Sequence, residues 1–332
     1  MKINKTIIIC VISVLICIFI GSKILNKQKN IDLDDINVSK YINIVDKASE
    51  NKVQVNWKYV CSIVSVLNNN NQNKVDDSEI FKISNMFIKE NSGKYYINSL
   101  ESVIKKLNLD KEKTSLVYKY IDDLKHYSLT PNKTSPNTKY MNFINDIKEV
   151  AIDNYEKYKV LPSITIAQAI LESNWGESRL SSDFNNYFGI KADTNWNGES
   201  VFLETNEFYN NTINDKFRKY KNKYDSIRDH GKFLYENKRY KNNGVFSAKT
   251  YIPQAIALQN AGYSTIEDSN GKKVYAQYLI NLIKQYNLQL IDNEVAVKKK
   301  INNYTFSNVS SIKFWCIGKY VLKIKEVLLN NF

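Results

Sequence analysis

The residues equipped for chemistry gather around one glutamate. Ile164, Ile166, Ala167, Ala169, Ile170 and Leu171 make the stretch 164–171 apolar on nearly every helical face. Glu172 follows directly, trailed by Ser173, Asn174, Trp175 and Gly176. A helix without a polar stripe is a buried helix. A carboxyl group carried on its end, beside a tryptophan, is poorly solvated, and desolvation raises its pKa by penalising the charged form. Such a group keeps its proton near neutral pH and can donate it to a leaving oxygen, the step that opens a glycosidic bond. A second carboxylate usually completes that chemistry. Between Gly198 and Tyr220 the chain alternates and is rich in β-branched and aromatic residues (Val201, Phe202, Leu203, Ile213, Phe217, Tyr220), which predicts a two-stranded hairpin turning near Asn210-Asn211. Its first strand offers Glu204 and Glu207. The strand period puts them on opposite faces, so at most one faces a shared cleft. Other chemistries have little to draw on. The chain has 2 histidines, His126 and His230, and 4 cysteines (Cys10, Cys17, Cys61, Cys316) without CxxC spacing. That composition argues against a metal site, a disulfide framework or a Ser-His or Cys-His nucleophile, and no cofactor is implied.

The glutamate's helix needs a start and a setting. Pro162 suits a first helical turn, and Ser163 is placed to cap the free N–H groups there. Ahead of it, Ile144, Ile147, Ala151, Tyr155 and Tyr158 recur at steps of three and four, the mark of an amphipathic helix. Most of the chain's glycines lie between Gly176 and Gly271, so this half holds the tight turns that sites need. From Val38 to Tyr127 the pattern reads as helical throughout. Trp57, Val60, Val64 and Leu67 mark one helix; Phe81, Met86 and Ile88 a second; Leu100, Val103, Ile104 and Leu107 a third; Val117, Tyr120, Ile121 and Leu124 a fourth. Pro131 and Pro136 among Ser, Thr, Asn and Lys make Ser128 to Asn137 a linker. The tail carries the Lys298–Lys300 run and an apolar stretch over 314–329, an appended helix or strand.

At the N-terminus, Lys2 and Lys5 precede an apolar run from Ile7 to Ile20 that extends to Leu25 and can just span a hydrocarbon core. No small-x-small cleavage site follows, which favours an uncleaved signal anchor. Lys23, Lys27 and Lys29 on the far side balance Lys2 and Lys5, so charge does not set the orientation. The domains expected are thus an anchor over 1–29, an all-α module over 30–127, a linker over 128–137, a mainly α (α+β) chemistry-bearing domain over 138–289, and a basic and apolar tail over 290–332. The 332-residue chain carries a net charge of +13. That suits a polyanionic neighbour, whether nucleic acid, an anionic membrane face or a phosphate-rich wall.

Six segments, in order, carry a family likeness. Ala167-Gln168-Ala169-Ile170-Leu171-Glu172-Ser173-Asn174-Trp175-Gly176 resembles the signature helix of glycoside hydrolase family 73, bacterial endo-β-N-acetylglucosaminidases with a lysozyme-like fold. Asn185-Asn186-Tyr187-Phe188-Gly189-Ile190-Lys191 resembles the segment after it, and Phe217-Arg218-Lys219-Tyr220 the family's Phe-Arg-x-Tyr strand. Ser226-Ile227-Arg228-Asp229-His230 resembles a helix start, and Ala261-Gly262-Tyr263-Ser264-Thr265 the Gly-Tyr-Ala-Thr segment. Tyr275-Ala276 with Leu279 to Leu288 resembles the closing helix. The likeness covers residues 138–288 and departs from the family at Ile266 to Lys273, an insertion that alters one end of the cleft.

The resemblance implies a lysozyme-like domain with a small β-hairpin lobe that cleaves the β-1,4 bond on the reducing side of N-acetylglucosamine in peptidoglycan. Glu172 would be the acid. Glu207 would be the second carboxylate, preferred over Glu204 because Thr205-Asn206-Glu207 matches the family's Thr-x-Glu; Asp193, Glu199 and a route assisted by the sugar's own N-acetyl group stay open. Tyr263 would orient within the site. Trp175, Asn186, Tyr187, Phe188 and Tyr220 would bind substrate, with Trp196 a further stacking surface and His230 a structural hydrogen-bonder. The partners expected are glycan strands, the membrane through the N-terminal helix, and anionic wall polymers in place of nucleic acid. The protein would be single-pass, with its catalytic domain facing the wall. A lytic transglycosylase and a non-catalytic wall-binding scaffold are the alternatives.

Overall fold

Short polar side chains start most of the helices. The structure, a computed structural model, describes residues 31–207 and 211–309; of residues 205–207, 211–214 and 300–309 only the backbone is described. Asn37 accepts the Lys40 N–H ahead of α1 (Val38–Ser49), Asn56 the Lys58 N–H ahead of α2 (Trp57–Leu67), and Asp76 the Glu79 N–H ahead of α3 (Asp77–Met86). Each bond satisfies a donor that the first helical turn leaves free. Strands β1 (Ile88–Asn91) and β2 (Lys94–Ile97) follow, then α4 (Leu100–Lys106) and α5 (Lys111–Asp123), capped by Ser99 and Asp110.

The first module is therefore not all-α. Phe87 ends α3, and Ile88, expected to extend that helix, pairs with Ile97 instead. The cause is local: Ser92 and Gly93 both take positive φ (50° and 71°) and form the tight turn that suits a hairpin's twist. The expected linker also has structure. Ser128 and Thr134 are buried and joined at 2.8 Å, Pro131–Thr134 forms the one-turn α6, and the Thr130 hydroxyl donates to the Gln285 carbonyl at 3.2 Å. The expected membrane span and the apolar stretch 314–329 lie outside the described residues. Among the described residues no helix is long and apolar enough to cross a membrane.

The second module comprises α7 (Lys139–Tyr158), α8 (Pro162–Ser173), α9 (Arg179–Phe184), the antiparallel strands β3 (Ser200–Glu207) and β4 (Asn211–Arg218), α10 (Lys223–Glu236), α11 (Lys238–Asn242), α12 (Tyr251–Asn260) and α13 (Tyr275–Gln285). The last described helix is α14 (Gln289–Val309). Helix α8 runs through the centre, with α7, α10, α12, α13 and α14 packed around it. Every residue from Pro162 to Ile170 is buried. Ile164 and Ile166 are wholly enclosed, each contributing about 1.5–3 kcal/mol by leaving water. Where α10 crosses α7, Gly231 admits the Asn154 amide; a Cβ there would lie 2.7 Å from it.

Ser163 does not cap α8. Leu161 holds the N-cap position, and Ser163, one turn in, gives its backbone N–H to Asp292 Oδ1 (3.0 Å) and its hydroxyl to Oδ2 (2.6 Å). The cap thus comes from α14, in the segment expected to be a tail. Ile291 and Val295 of α14 join the core around α8, while Leu290, Ala296 and Val297 pack on the core of the first module. One helix therefore serves as a wall for both. Trp57 Nε1 donates to Asn287 (3.0 Å), Asn293 to the Gln54 carbonyl (2.7 Å), and Tyr251 OH to Asp46, tying the modules further.

Candidate active site

Glu172 emerges where α8 stops. Asn174, Trp175 and Gly176 take left-handed φ in succession (49°, 62°, 79°), so the chain leaves the helix at once. Ser173 holds the turn, donating to the Ala169 carbonyl and accepting the Gly176 N–H at 2.7 Å. A tryptophan in this backbone region is uncommon and costs energy that its surroundings must offset. They do: the Trp175 ring meets Tyr140, Tyr286 and Phe143 edge-on at 4.7, 4.9 and 5.6 Å. Trp175, expected to bind substrate, is an aromatic wedge that anchors the turn.

The carboxyl of Glu172 was expected to be buried, and in surface area it is exposed. It is nevertheless flanked closely by protein atoms. Solvent reaches it, yet the atoms around it still cost its charge hydration. Burial therefore pushes its pKa up, and the hydrogen bond from Tyr275 draws it back only in part. Tyr275 OH donates to Glu172 Oε1 at 2.8 Å and accepts from Gln168 Nε2 at 3.0 Å, a relay that fixes the carboxyl's orientation. The Tyr263 ring stacks on Tyr275 at 5.3 Å, and its phenol is held well above its ordinary pKa by burial and then by the nearby Glu172 charge. The structure thus brings Glu172, Tyr263 and Tyr275 together.

Tyr275 and Gln168 escaped the sequence reading as site residues. Both lay inside quoted motifs, but one helix pattern accounted for them; only the fold brings residues 107 positions apart into contact. The insertion between Tyr263 and Tyr275 folds back on itself, with the Val274 N–H bonded to the Ile266 carbonyl and Asp268 closing the turn through the Asn270 and Lys272 N–H groups.

Four expected substrate-binding residues are buried and make contacts inside the protein. Asn186 is buried, and its amide donates to the Ile190 and Arg218 carbonyls (3.0 and 2.8 Å) while its oxygen accepts the Phe188 and Ile190 N–H groups. Tyr187 is buried with its ring stacked on Phe143. Phe188 lies flat against His230 at 3.8 Å. Tyr220 is buried and donates to Asp229 at 2.7 Å. His230, expected to hydrogen-bond, has no partner for either ring nitrogen among the described residues, and burial pushes its pKa down to about 3. It packs as a neutral ring.

The hairpin is anchored at its base. Arg218 of β4 pairs with Asp229 of α10 at 2.8 Å and lies over the half-buried Trp196 ring at 4.5 Å. Glu207 pairs with Asn211 in the last rung and Glu204 with Asn214, positions of opposite parity as expected. Glu204 is exposed, beside Phe202 at 66% exposure. The side chain of Glu207 lies outside the described residues. Asp193 reaches toward Arg218 (3.7 Å) and Glu199 pairs with Lys219 (2.8 Å), so both answer to cations.

A solvent-exposed carboxyl that resists ionisation, steered by a tyrosine, fits the acid half of a glycoside hydrolase site. Residues 148–288 match the profile of the glucosaminidase family, described as mannosyl-glycoprotein endo-beta-N-acetylglucosaminidase. The exo-glucosaminidase LytG of Bacillus subtilis (strain 168) is 41% identical over 158 residues, covering 45% of this chain and 52% of that protein. The peptidoglycan hydrolase FlgJ of Vibrio parahaemolyticus is 38% identical over 125 residues, covering 36% and 39%. Among solved structures, the catalytic domain of the autolysin Auto from Listeria monocytogenes is 34% identical, covers 55% of this chain and 98% of that one, and has a TM-score of 0.41. The chain belongs, through residues 148–288, to the glucosaminidase family, glycoside hydrolase family 73. It spans 52% of LytG and 39% of FlgJ, so it shares one domain with these relatives and not their full length.

Proposed function

We propose that this protein is a peptidoglycan hydrolase that cleaves the β-1,4 bond on the reducing side of N-acetylglucosamine in glycan strands. The observation that carries the reading is the Tyr275–Glu172 hydrogen bond (2.8 Å) on a carboxyl whose pKa burial raises. Glu172 holds its proton until the glycosidic oxygen arrives, then delivers it as the bond breaks. Tyr275 fixes which carboxyl oxygen faces the substrate, and Tyr263 presents a neutral phenol beside it. Glu207, on the hairpin, activates water or steadies the sugar cation. The alternation of the hairpin and the Thr-x-Glu match support that choice over Glu204. The apolar run 7–20 and a substrate outside the cell support a membrane-anchored enzyme whose catalytic domain faces the wall.

The family description names an endo-glucosaminidase and LytG is named an exo-glucosaminidase, so the products decide the mode. The test is digestion of purified peptidoglycan by the full chain in mild detergent, with mass analysis of reduced products beside Glu172→Gln. New reducing N-acetylglucosamine ends that vanish in the variant support the reading, and a spread of fragment lengths marks internal cleavage. Reducing muramic ends, 1,6-anhydro ends or an active variant would overturn it.

A further inference from the structure

A concave feature away from Glu172 lies between the modules. A cavity of about 610 Å³ is walled by the α1–α2 loop, the β1–β2 hairpin, the end of α7, the loop before α12, and α14. It sits at the N-terminal end of α8, and the 12 residues of that helix separate it from Glu172 by about 18 Å. Five lysines line it: Lys52, Lys94, Lys159, Lys249 and Lys299. Among the described residues none of the five has a carboxylate partner. Two are held in place by carbonyls at helix ends: Lys52 donates to Ala48 (3.1 Å), and Lys159 to Tyr155 (3.4 Å) and Glu156. The one acid in the lining, Asp292, is occupied by both donors of Ser163.

Like charges gathered around a cavity repel one another, and the arrangement relaxes when an anion enters. The remaining walls describe the rest of that anion. Tyr95, Tyr96, Tyr155 and Phe246 supply flat apolar surface for a carbon skeleton. Several cations beside flat carbon surface suit a polyol or saccharide chain with repeated anionic groups.

We propose that this inter-module cavity binds a phosphodiester-linked polyol or saccharide polymer, holding the enzyme on an acidic wall through a site separate from its active groove. A phosphodiester polymer is preferred because its charge repeats along the chain and meets lysines on several walls at once. The binding site does not depend on the glycosidase reading, and each can fail alone.

The test is calorimetric titration of the full chain, in mild detergent, with short poly(glycerol phosphate), against three variants. The site variant carries Lys94→Gln, Lys249→Gln and Lys299→Gln. A charge-matched control carries Lys105→Gln, Lys106→Gln and Lys111→Gln, all exposed on the first module. A third variant, Ala296→Trp, fills the cavity without altering charge. Affinity is expected to fall about tenfold or more in the site variant and in Ala296→Trp and to hold within about twofold in the control, with melting temperatures and cleavage of a soluble glycan retained. Equal loss in site and control variants would reduce the effect to diffuse charge and overturn the proposal, as would no binding by the parent. Binding of muramyl dipeptide with no binding of poly(glycerol phosphate) would overturn the phosphate assignment in favour of stem-peptide carboxylates.

Discussion

The two ends of α8 are built on opposite principles. At the N-terminal end, Asp292 is buried and accepts both donors of Ser163. At the C-terminal end, three left-handed residues stop the helix and leave Glu172 in contact with solvent, with a single hydroxyl partner. Both ends carry a carboxyl with a raised pKa, for the same cause, desolvation. They differ in what the carboxyl faces. A sealed carboxylate stabilises a helix start; an open one is available to a substrate. A buried acid is therefore no mark of catalysis until its neighbours are known.

The largest effect expected from breaking this contrast is on activity. Glu172→Gln should lower glycan cleavage by about 10²–10⁴-fold with a melting temperature equal to or above the parent's, read by product analysis and thermal melts. The amide keeps the shape and removes a charge that burial disfavours. Next is Asp292→Ala, which strands the buried Ser163 donors and should cost about 1–3 kcal/mol in denaturant melts, with cleavage per folded molecule unchanged. If Asp292→Ala abolished cleavage in a folded protein, the two ends would not be separable.

Tyr275→Phe should lower kcat by about tenfold, because the hydrogen bond to a charged group that it removes is worth on the order of 1.5 kcal/mol. The hydroxyl draws the Glu172 pKa down, so its loss should move the alkaline limb of the pH–rate profile upward. A residue that merely packed would leave that limb in place. The smallest effect is on stability against pH. Burial raises Asp46 to about 6 and Asp292 to about 7, from 3.8. The folded protein then holds protons that the unfolded chain has released, so stability falls as pH rises from about 4 through about 7. Asp292→Asn should flatten the upper part of that fall, measured by melts across the same range.

Much of the site was legible because its signals are local. Apolar residues on every face of 164–171 declared a buried helix, and the motifs on either side singled out Glu172 and Tyr263. Local signals failed where a residue's partner is distant. Asn186, Tyr187, Phe188 and Tyr220 have types that suit sugar binding, and only the fold shows that they also contact Arg218, Phe143, His230 and Asp229. The hairpin 88–97 was missed for another reason: its strands are 4 residues each, too short for a period of two to stand out.

By itself the sequence determined the buried helix, the glutamate at its end, the hairpin after it and the family to which residues 148–288 belong. These rest on side-chain type and spacing along one element, which no distant residue can change. Only the tertiary structure decided that Tyr275 steers the acid, that Asp292 caps the helix from a segment resembling a tail, and that five lysines share one cavity. Each of those joins residues far apart in the chain, and their meeting depends on how the helices pack.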